Sequence, residues 1–260
     1  MKSIKSNLKH ISYPLLLLIF ISSSIIFSSC SSSVKDDLEK TDDPEAAFNI
    51  AHNHYLKKDY LQAVEDFSVI KLRFSGSKII DKAVYYLGLT YIARKENLLA
   101  AYEFEQLLKN YPGSEYAVQA RYQLGMSYYN ESPEYNLDQT YTQYAINEFK
   151  NFIDLYPNDP LSTEAAKKIT ELKNKLAFKL IKDAEQYATM NNYRAATIYY
   201  DLVLDQYFDT DWADDALYNK INMLIIRKKF PEAEAEIKRF EQLFKGSELL
   251  RKVEELKNRI

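Results

Sequence analysis

The chain has 260 residues, with 34 Lys+Arg against 37 Asp+Glu, one Cys and only five Gly. One Cys excludes an intrachain disulfide framework, and the scarcity of Gly argues against phosphate-cradling loops; neither G-x-G-x-x-G nor G-x-x-x-x-G-K-[ST] occurs. Tyr is abundant at 22 residues, and Trp occurs once.

Lys2, Lys5 and Lys9 precede an apolar stretch from Ile11 to Phe27, the pattern of a secretory signal. An uncleaved membrane anchor is the alternative, at the short limit for a span and weakened by Ser22, Ser23 and Ser24. Phe27-Ser28-Ser29-Cys30 resembles a bacterial lipobox, with Phe27 where the pattern favours an aliphatic residue. That resemblance implies cleavage before Cys30, lipidation of Cys30, and outer-membrane sorting, since Ser31 rather than Asp follows. Residues 1–29 hold three basic residues and no acidic one, so the remainder carries 31 basic and 37 acidic residues, a net −6. An acidic chain exported from the cytosol is a poor nucleic-acid binder, which needs clustered Lys and Arg. Residues 30–44 read as the lipidated Cys and a polar, acidic tether.

From Glu45 onward, apolar residues recur at helical spacing. Leu87-Gly88-x-x-Tyr91, Ala100-x-x-x-Phe104 and Pro112 form a tetratricopeptide signature, with Val84 in the usual Trp position. Leu124-Gly125-x-x-Tyr128, Ala145-x-x-x-Phe149 and Pro157 repeat it. The second-helix alanines are Ala63, Ala100, Ala145, Ala196 and Ala233, separated by 37, 45, 51 and 37 residues. The period is therefore 37, with insertions of eight and fourteen residues. The expected fold is an all-α tetratricopeptide solenoid of five helix–turn–helix units with a C-terminal capping helix over Glu248–Arg259. Residues 45–165 hold units one to three; residues 166–260 hold units four and five and the cap. The eight-residue insertion, around Glu131–Asp138, lengthens the loop inside unit three. The fourteen-residue insertion lies in a stretch without Gly or Pro, so Ser162 to Met190 is expected to form one helix about 43 Å long between units three and four.

Gly88 and Gly125, with Ala51 and Ala184 in equivalent places, are expected to let paired helices approach, while Phe67, Phe104, Phe149 and Tyr200 plug the space between neighbouring units. Unit five departs from this, with Ile221 in place of Gly and Ile237 in place of Phe. Gly76-Ser77, Gly113-Ser114 and Gly246-Ser247 are expected to be helix-ending glycines followed by capping serines.

Enzymatic signals are weak. Neither H-E-x-x-H nor G-x-S-x-G occurs. His52 and His54, two residues apart on a helix, point in different directions and do not form a metal-binding pair. No catalytic residue, metal or cofactor is expected. The tyrosines point to binding. In a tetratricopeptide unit the first helix lines the concave face, which selects Phe48, His52 and Tyr55 in unit one, Tyr85, Leu89 and Ile92 in unit two, and Tyr122, Met126 and Tyr129 in unit three. Such a lining suits an extended peptide or a helix, with packing against neighbouring repeats as the alternative use of the same rings. In unit four the equivalent residues are Ile181, Glu185 and Ala188, so the aromatic lining stops.

The lipobox, the acidic tether, five repeats, the block Tyr111-Pro112-Gly113-Ser114-Glu115-Tyr116 with Ala120, the widened third unit and the long helix together resemble the BamD family, lipoproteins of the outer-membrane β-barrel assembly machinery. The resemblance covers the whole chain beyond the signal and implies a non-enzymatic scaffold, lipid-anchored in the outer membrane and facing the periplasm. Its implied partners are a BamA-like β-barrel insertase, other lipoproteins of the complex, and unfolded outer-membrane proteins recognised through C-terminal strand signals by the N-terminal units. The C-terminal units, roughly 178–260, would dock the insertase, with Tyr199, Trp212, Tyr218 and Phe230 as contacts or, for Trp212 and Phe230, as inter-repeat packing. Other envelope tetratricopeptide adaptors, serving division or polysaccharide export, remain an alternative, as does a glycan-binding or hydrolytic lipoprotein.

Overall fold

A computed structural model describes Leu38 and residues 40–260. The signal segment, Cys30 and most of the tether lie outside the described residues. Helices α1 (Pro44–Leu56) and α2 (Tyr60–Arg73) form unit one; α3 (Ile80–Ala93) and α4 (Asn97–Asn110) form unit two. Unit three is α5 (Ala117–Glu131) and α6 (Thr140–Leu155), and unit four is α7 (Pro160–Thr189) and α8 (Tyr193–Gln206). Unit five is α9 (Ala213–Ile226) and α10 (Phe230–Leu243), followed by α11 (Leu250–Leu256) and a 3₁₀ turn over Lys257–Arg259. Each helix packs on the next, so the described residues form an all-α solenoid of five helical pairs.

The long helix has 30 residues and begins at Pro160, two residues before the expected start. Proline is tolerated there because its missing N–H has no intrahelical partner to lose, and the Asp159 carboxylate accepts from Leu161 N at 2.8 Å. The same helix is also the first helix of unit four. Its Leu172 and Leu176 pack with Phe149 and Phe152 of unit three, while Ala177, Ile181 and Ala184 belong to the core of units four and five. The inserted loop, residues 132–139, folds onto it. Lys175 Nζ donates to Ser132 Oγ and to Pro133 O, and the Tyr135 ring meets Phe178 edge-on at 4.7 Å. The two insertions therefore contact one another.

The small residues do their expected work in a more specific way. A Cβ added to Gly88 would sit 2.6 Å from the Phe104 ring, and one added to Gly125 would sit 2.8 Å from that of Phe149. Each glycine thus makes room for the aromatic ring of its own unit. The ring also reaches the next unit, since Phe104 shares a core with Ala120 and Leu124. Ala51 with Phe67, and Ala184 with Tyr200, place the same small–large pair in the cores of units one and four.

The expected glycine caps need correction. No glycine has positive φ; the left-handed residues are Lys58, Lys95, Asn191 and Lys228, at φ 62°, 63°, 58° and 58°. Each stands five residues before the marker alanine of its unit, in the turn between paired helices. Unit three, with its longer loop, has no such residue. The serines are not N-caps either. Ser114 Oγ accepts from Tyr116 N and Ser247 Oγ from Leu249 N, in the turns just ahead of α5 and α11, whereas Ser77 Oγ has no partner. The chain changes direction between units through these turns, so Gly there needs no left-handed backbone.

Candidate peptide-binding groove

The first helices of units one and two place their aromatic residues side by side, and Tyr116, just ahead of α5, joins the row. His52 stacks on Phe48 with ring centroids 5.4 Å apart and on Tyr55 at 6.2 Å. Tyr85 stacks on Tyr116 at 4.9 Å. Tyr86 joins these groups, meeting His52 at 4.7 Å, Phe48 at 5.5 Å, Tyr55 at 5.6 Å and Tyr85 at 5.7 Å. Face-to-edge contacts of this kind hold rings at fixed angles, so the surface is preorganised rather than loose. Tyr86 escaped the counting from Gly88, which selected its neighbour Tyr85. Its equivalents in units one, three and four are Asn49, Gln123 and Lys182, so no repeat pattern marks it.

Two of the nine expected groove residues belong to the core. Phe48 is 1% exposed and Tyr122 is 8% exposed. Phe48 is covered by Lys82, whose Nζ sits 4.0 Å from the ring centroid, and Tyr122 lies between Phe149 and Phe152 at 5.8 and 5.6 Å. The alternative use of these rings, packing against neighbours, applies to both. His52, Tyr55, Tyr85, Leu89, Ile92, Met126 and Tyr129 are half-buried and keep part of their surface open.

Burial, followed by the positive charge of Lys82, pushes the His52 pKa down, which favours a neutral imidazole. Burial also pushes the Tyr55 and Tyr85 hydroxyls up, so both stay protonated and can donate a hydrogen bond. His54 turns the other way: it is buried, with Nδ1 2.5 Å from Asp66 Oδ2, and Asp66 also accepts from Gln62 Nε2 at 2.7 Å. The two histidines therefore have separate surroundings, and among the described residues no cluster of three His, Cys, Asp or Glu could hold a metal.

The groove ends against the long helix. Tyr129 OH donates to Glu171 Oε2 at 2.7 Å, and Lys168 sits over the Tyr129 ring at 4.5 Å. Past this point Ile181 is buried and Glu185 is exposed, so no aromatic floor continues into unit four.

The C-terminal candidates are more scattered. Tyr199 stacks on Tyr187 at 5.1 Å, and Trp212 packs on Phe178 at 4.8 Å. Tyr218 is half-buried against the core of units four and five. Phe230 is 40% exposed and, with Pro231, Ile237 and Ile260, lines an open cleft of about 550 Å³. These four residues do not form one patch of touching rings.

The family model of YfiO, described as an outer membrane lipoprotein, matches residues 40–229. None of the curated proteins compared matches the chain. Among solved structures, the C-terminal part of a TPR repeat-containing protein from Cytophaga hutchinsonii is 16% identical, covering 84% of this chain and 90% of that one, with a TM-score of 0.33. The Rap conjugation gene regulator of plasmid pLS20, solved with the Phr* peptide, is 15% identical over 95% of this chain and 69% of that one, also at 0.33. Similarity at that level does not bear on the groove. Among the described residues no helix is long and apolar enough to cross a membrane.

Proposed function

The chain belongs to the YfiO family of outer membrane lipoproteins, and on that premise we propose that it is a non-enzymatic scaffold of the β-barrel assembly complex. In this proposal Cys30 carries the lipid, the solenoid faces the periplasm, and units one to three bind unfolded outer-membrane proteins as extended segments. The C-terminal units, through Tyr199, Trp212, Tyr218 or Phe230, dock a BamA-like insertase. The observation that carries the reading is the ring array of His52, Tyr55, Tyr85 and Tyr86. It offers rigid, half-exposed aromatic area, with the Tyr55 and Tyr85 hydroxyls held protonated, which contacts a peptide at low entropic cost.

The deciding experiment is affinity purification from the native membrane in mild detergent, with mass spectrometry of co-purifying proteins. A β-barrel protein with repeated periplasmic domains should be recovered in near-equal amount. A stable complex with envelope enzymes instead, or no barrel partner, overturns the assignment to barrel assembly and leaves the fold unchanged. Intact-mass analysis of the N-terminal peptide tests the lipid on Cys30 separately.

A further inference from the structure

Three residues past the marker alanine, four of the five units carry an acid: Asp66, Glu103, Glu148 and Glu236, with Tyr199 in unit four. Three of these acids have a basic partner. Asp66 Oδ2 lies 2.5 Å from His54 Nδ1, Glu103 Oε2 accepts from Lys71 Nζ at 2.6 Å, and Glu236 Oε1 accepts from Lys220 Nζ at 2.6 Å. Glu148, in unit three, has no ion pair among the described residues. The positions that supply His54, Lys71 and Lys220 hold Tyr128, Leu108 and Leu124 around unit three, so no cation is offered from any of them. Arg121 acts on Glu148 only from beyond ion-pair distance. Burial pushes the Glu148 pKa up, opposed by Arg121 and Asn151, and Glu105 adds to the rise. A half-buried carboxylate without a partner is costly, and an arriving cation offsets that cost.

Aromatic rings stand beside it. Tyr144, one turn earlier on α6, is 48% exposed. Tyr128 and Tyr141 lie 12° from parallel with centroids 6.2 Å apart, and Tyr144 stands at 65° and 74° to them, at 5.5 and 6.1 Å. One cation can therefore sit within about 6 Å of all three ring centroids. Tyr128 OH donates to Glu105 Oε1 at 2.7 Å, which brings a second carboxylate to the edge of the rings. Burial, then that bond, push the Tyr128 hydroxyl pKa up, so it remains a donor. A guanidinium matches this surface, since its flat face stacks on a ring while its N–H fork serves a carboxylate. Leu98 and Tyr102, on the same face of α4 as Glu105, are both exposed. The site thus opens onto apolar surface instead of closing as a pocket, which suits a side chain carried on a protein.

We propose that Tyr128, Tyr141 and Tyr144, with Glu148 and Glu105, form a docking site for an arginine side chain of a protein partner, on the second-helix side of units two and three. The arginine supplies to Glu148 the cation that the other units supply from within the chain. The site is separate from the aromatic groove and does not rest on the client-binding reading.

The test probes the purified mature chain with N-acetyl-argininamide and its uncharged isostere N-acetyl-citrullinamide, with affinity read by ligand-observed NMR. The wild type should bind the arginine probe about fivefold more tightly, and the margin should shrink as salt is raised. Glu148→Gln and Tyr144→Ala should each remove most of that preference, and Asp154→Asn, exposed on the same helix, should keep it. Because Glu148 is half-buried, a measurement without mutation accompanies these. The arginine probe should slow nitration of Tyr144 several-fold by peptide mapping and leave Tyr199 unchanged, and the citrulline probe should slow neither. Equal affinity for the two probes, an unchanged preference in either site variant, or unaltered nitration of Tyr144 overturns the proposal.

Discussion

Units three and five fill the same space in different ways. In unit three Gly125 faces the fully buried Phe149, and a Cβ on the glycine would meet the ring at 2.8 Å. In unit five the corresponding residues are Ile221 and Ile237, both 0% exposed. A small–large pair has become a medium–medium pair, and the helices still pack. The comparison teaches that the repeat keeps a buried apolar contact across the helix pair rather than residue type at each position. Cores tolerate hydrophobic repacking when the pattern of apolar positions is kept.

The largest expected effect comes from emptying the pair. Phe149→Ala should destabilise the protein by about 3–5 kcal/mol, since nothing nearby can collapse into the space beside a glycine. Urea denaturation would measure it. Ile237→Ala removes less volume and should fall toward the lower end of the ~2–5 kcal/mol range for aliphatic truncations. A smaller loss at Phe149 than at Ile237 would break the comparison.

The next effect is a transplant. Gly125→Ile alone should cost about 1–3 kcal/mol or more from overpacking against the ring. Adding Phe149→Ile should restore much of that loss, with a favourable coupling of about 0.5–3 kcal/mol in the double-mutant cycle. Additive single effects would show that the two units are not equivalent solutions.

The same buried contact explains what could be read from the chain in advance. The period, both insertions and the long helix were legible because the marker alanines recur at fixed places in the repeat, where all of them are fully buried. The eight-residue insertion corresponds to the loop between Glu131 and Thr140. The groove was only partly legible. Helical counting gives a direction for each side chain but not the neighbour that covers it, so Phe48 under Lys82 and Tyr122 between two phenylalanines went to the core. Tyr86 had no periodic equivalent. The left-handed turns were hidden because Lys, unlike Gly, gives no local sign of positive φ.

Those turns supply a smaller test. Lys95 and Lys228 hold a left-handed backbone that costs an ordinary L-residue about 1–2 kcal/mol, a cost that Asn, as at Asn191, bears more easily. Lys95→Asn or Lys228→Asn should therefore stabilise by roughly 0.5 kcal/mol, and Lys95→Gly should gain less because glycine's unfolded-state entropy offsets part of the relief. Thermal melts of the three variants would show the order. The same change in unit three, where no left-handed residue exists, should have no such benefit.

The smallest effect separates unit one from units two to five. The only histidines in the chain beyond residue 10 are His52 and His54, both in unit one, so stability changes arising from imidazole between pH 5 and 8 belong there. Burial, with Lys82 adding to it, lowers the His52 pKa below its usual value of 6.5. Between the folded and unfolded pKa the unfolded chain binds more protons, so the stabilisation is present above pH 6.5 and declines as pH falls through the folded pKa. The effect is modest because solvent reaches part of the ring. Amide exchange in α1 should accelerate from pH 7 to 5 relative to its intrinsic rate, while exchange in α9, whose helix carries no histidine, should follow the intrinsic rate alone. His52→Phe keeps a ring stacked on Phe48 and removes the proton, so it should reduce the acid sensitivity of α1. An unchanged pH profile in that variant would separate the acid sensitivity of α1 from His52, and the exposed aromatic groove would then be indifferent to pH.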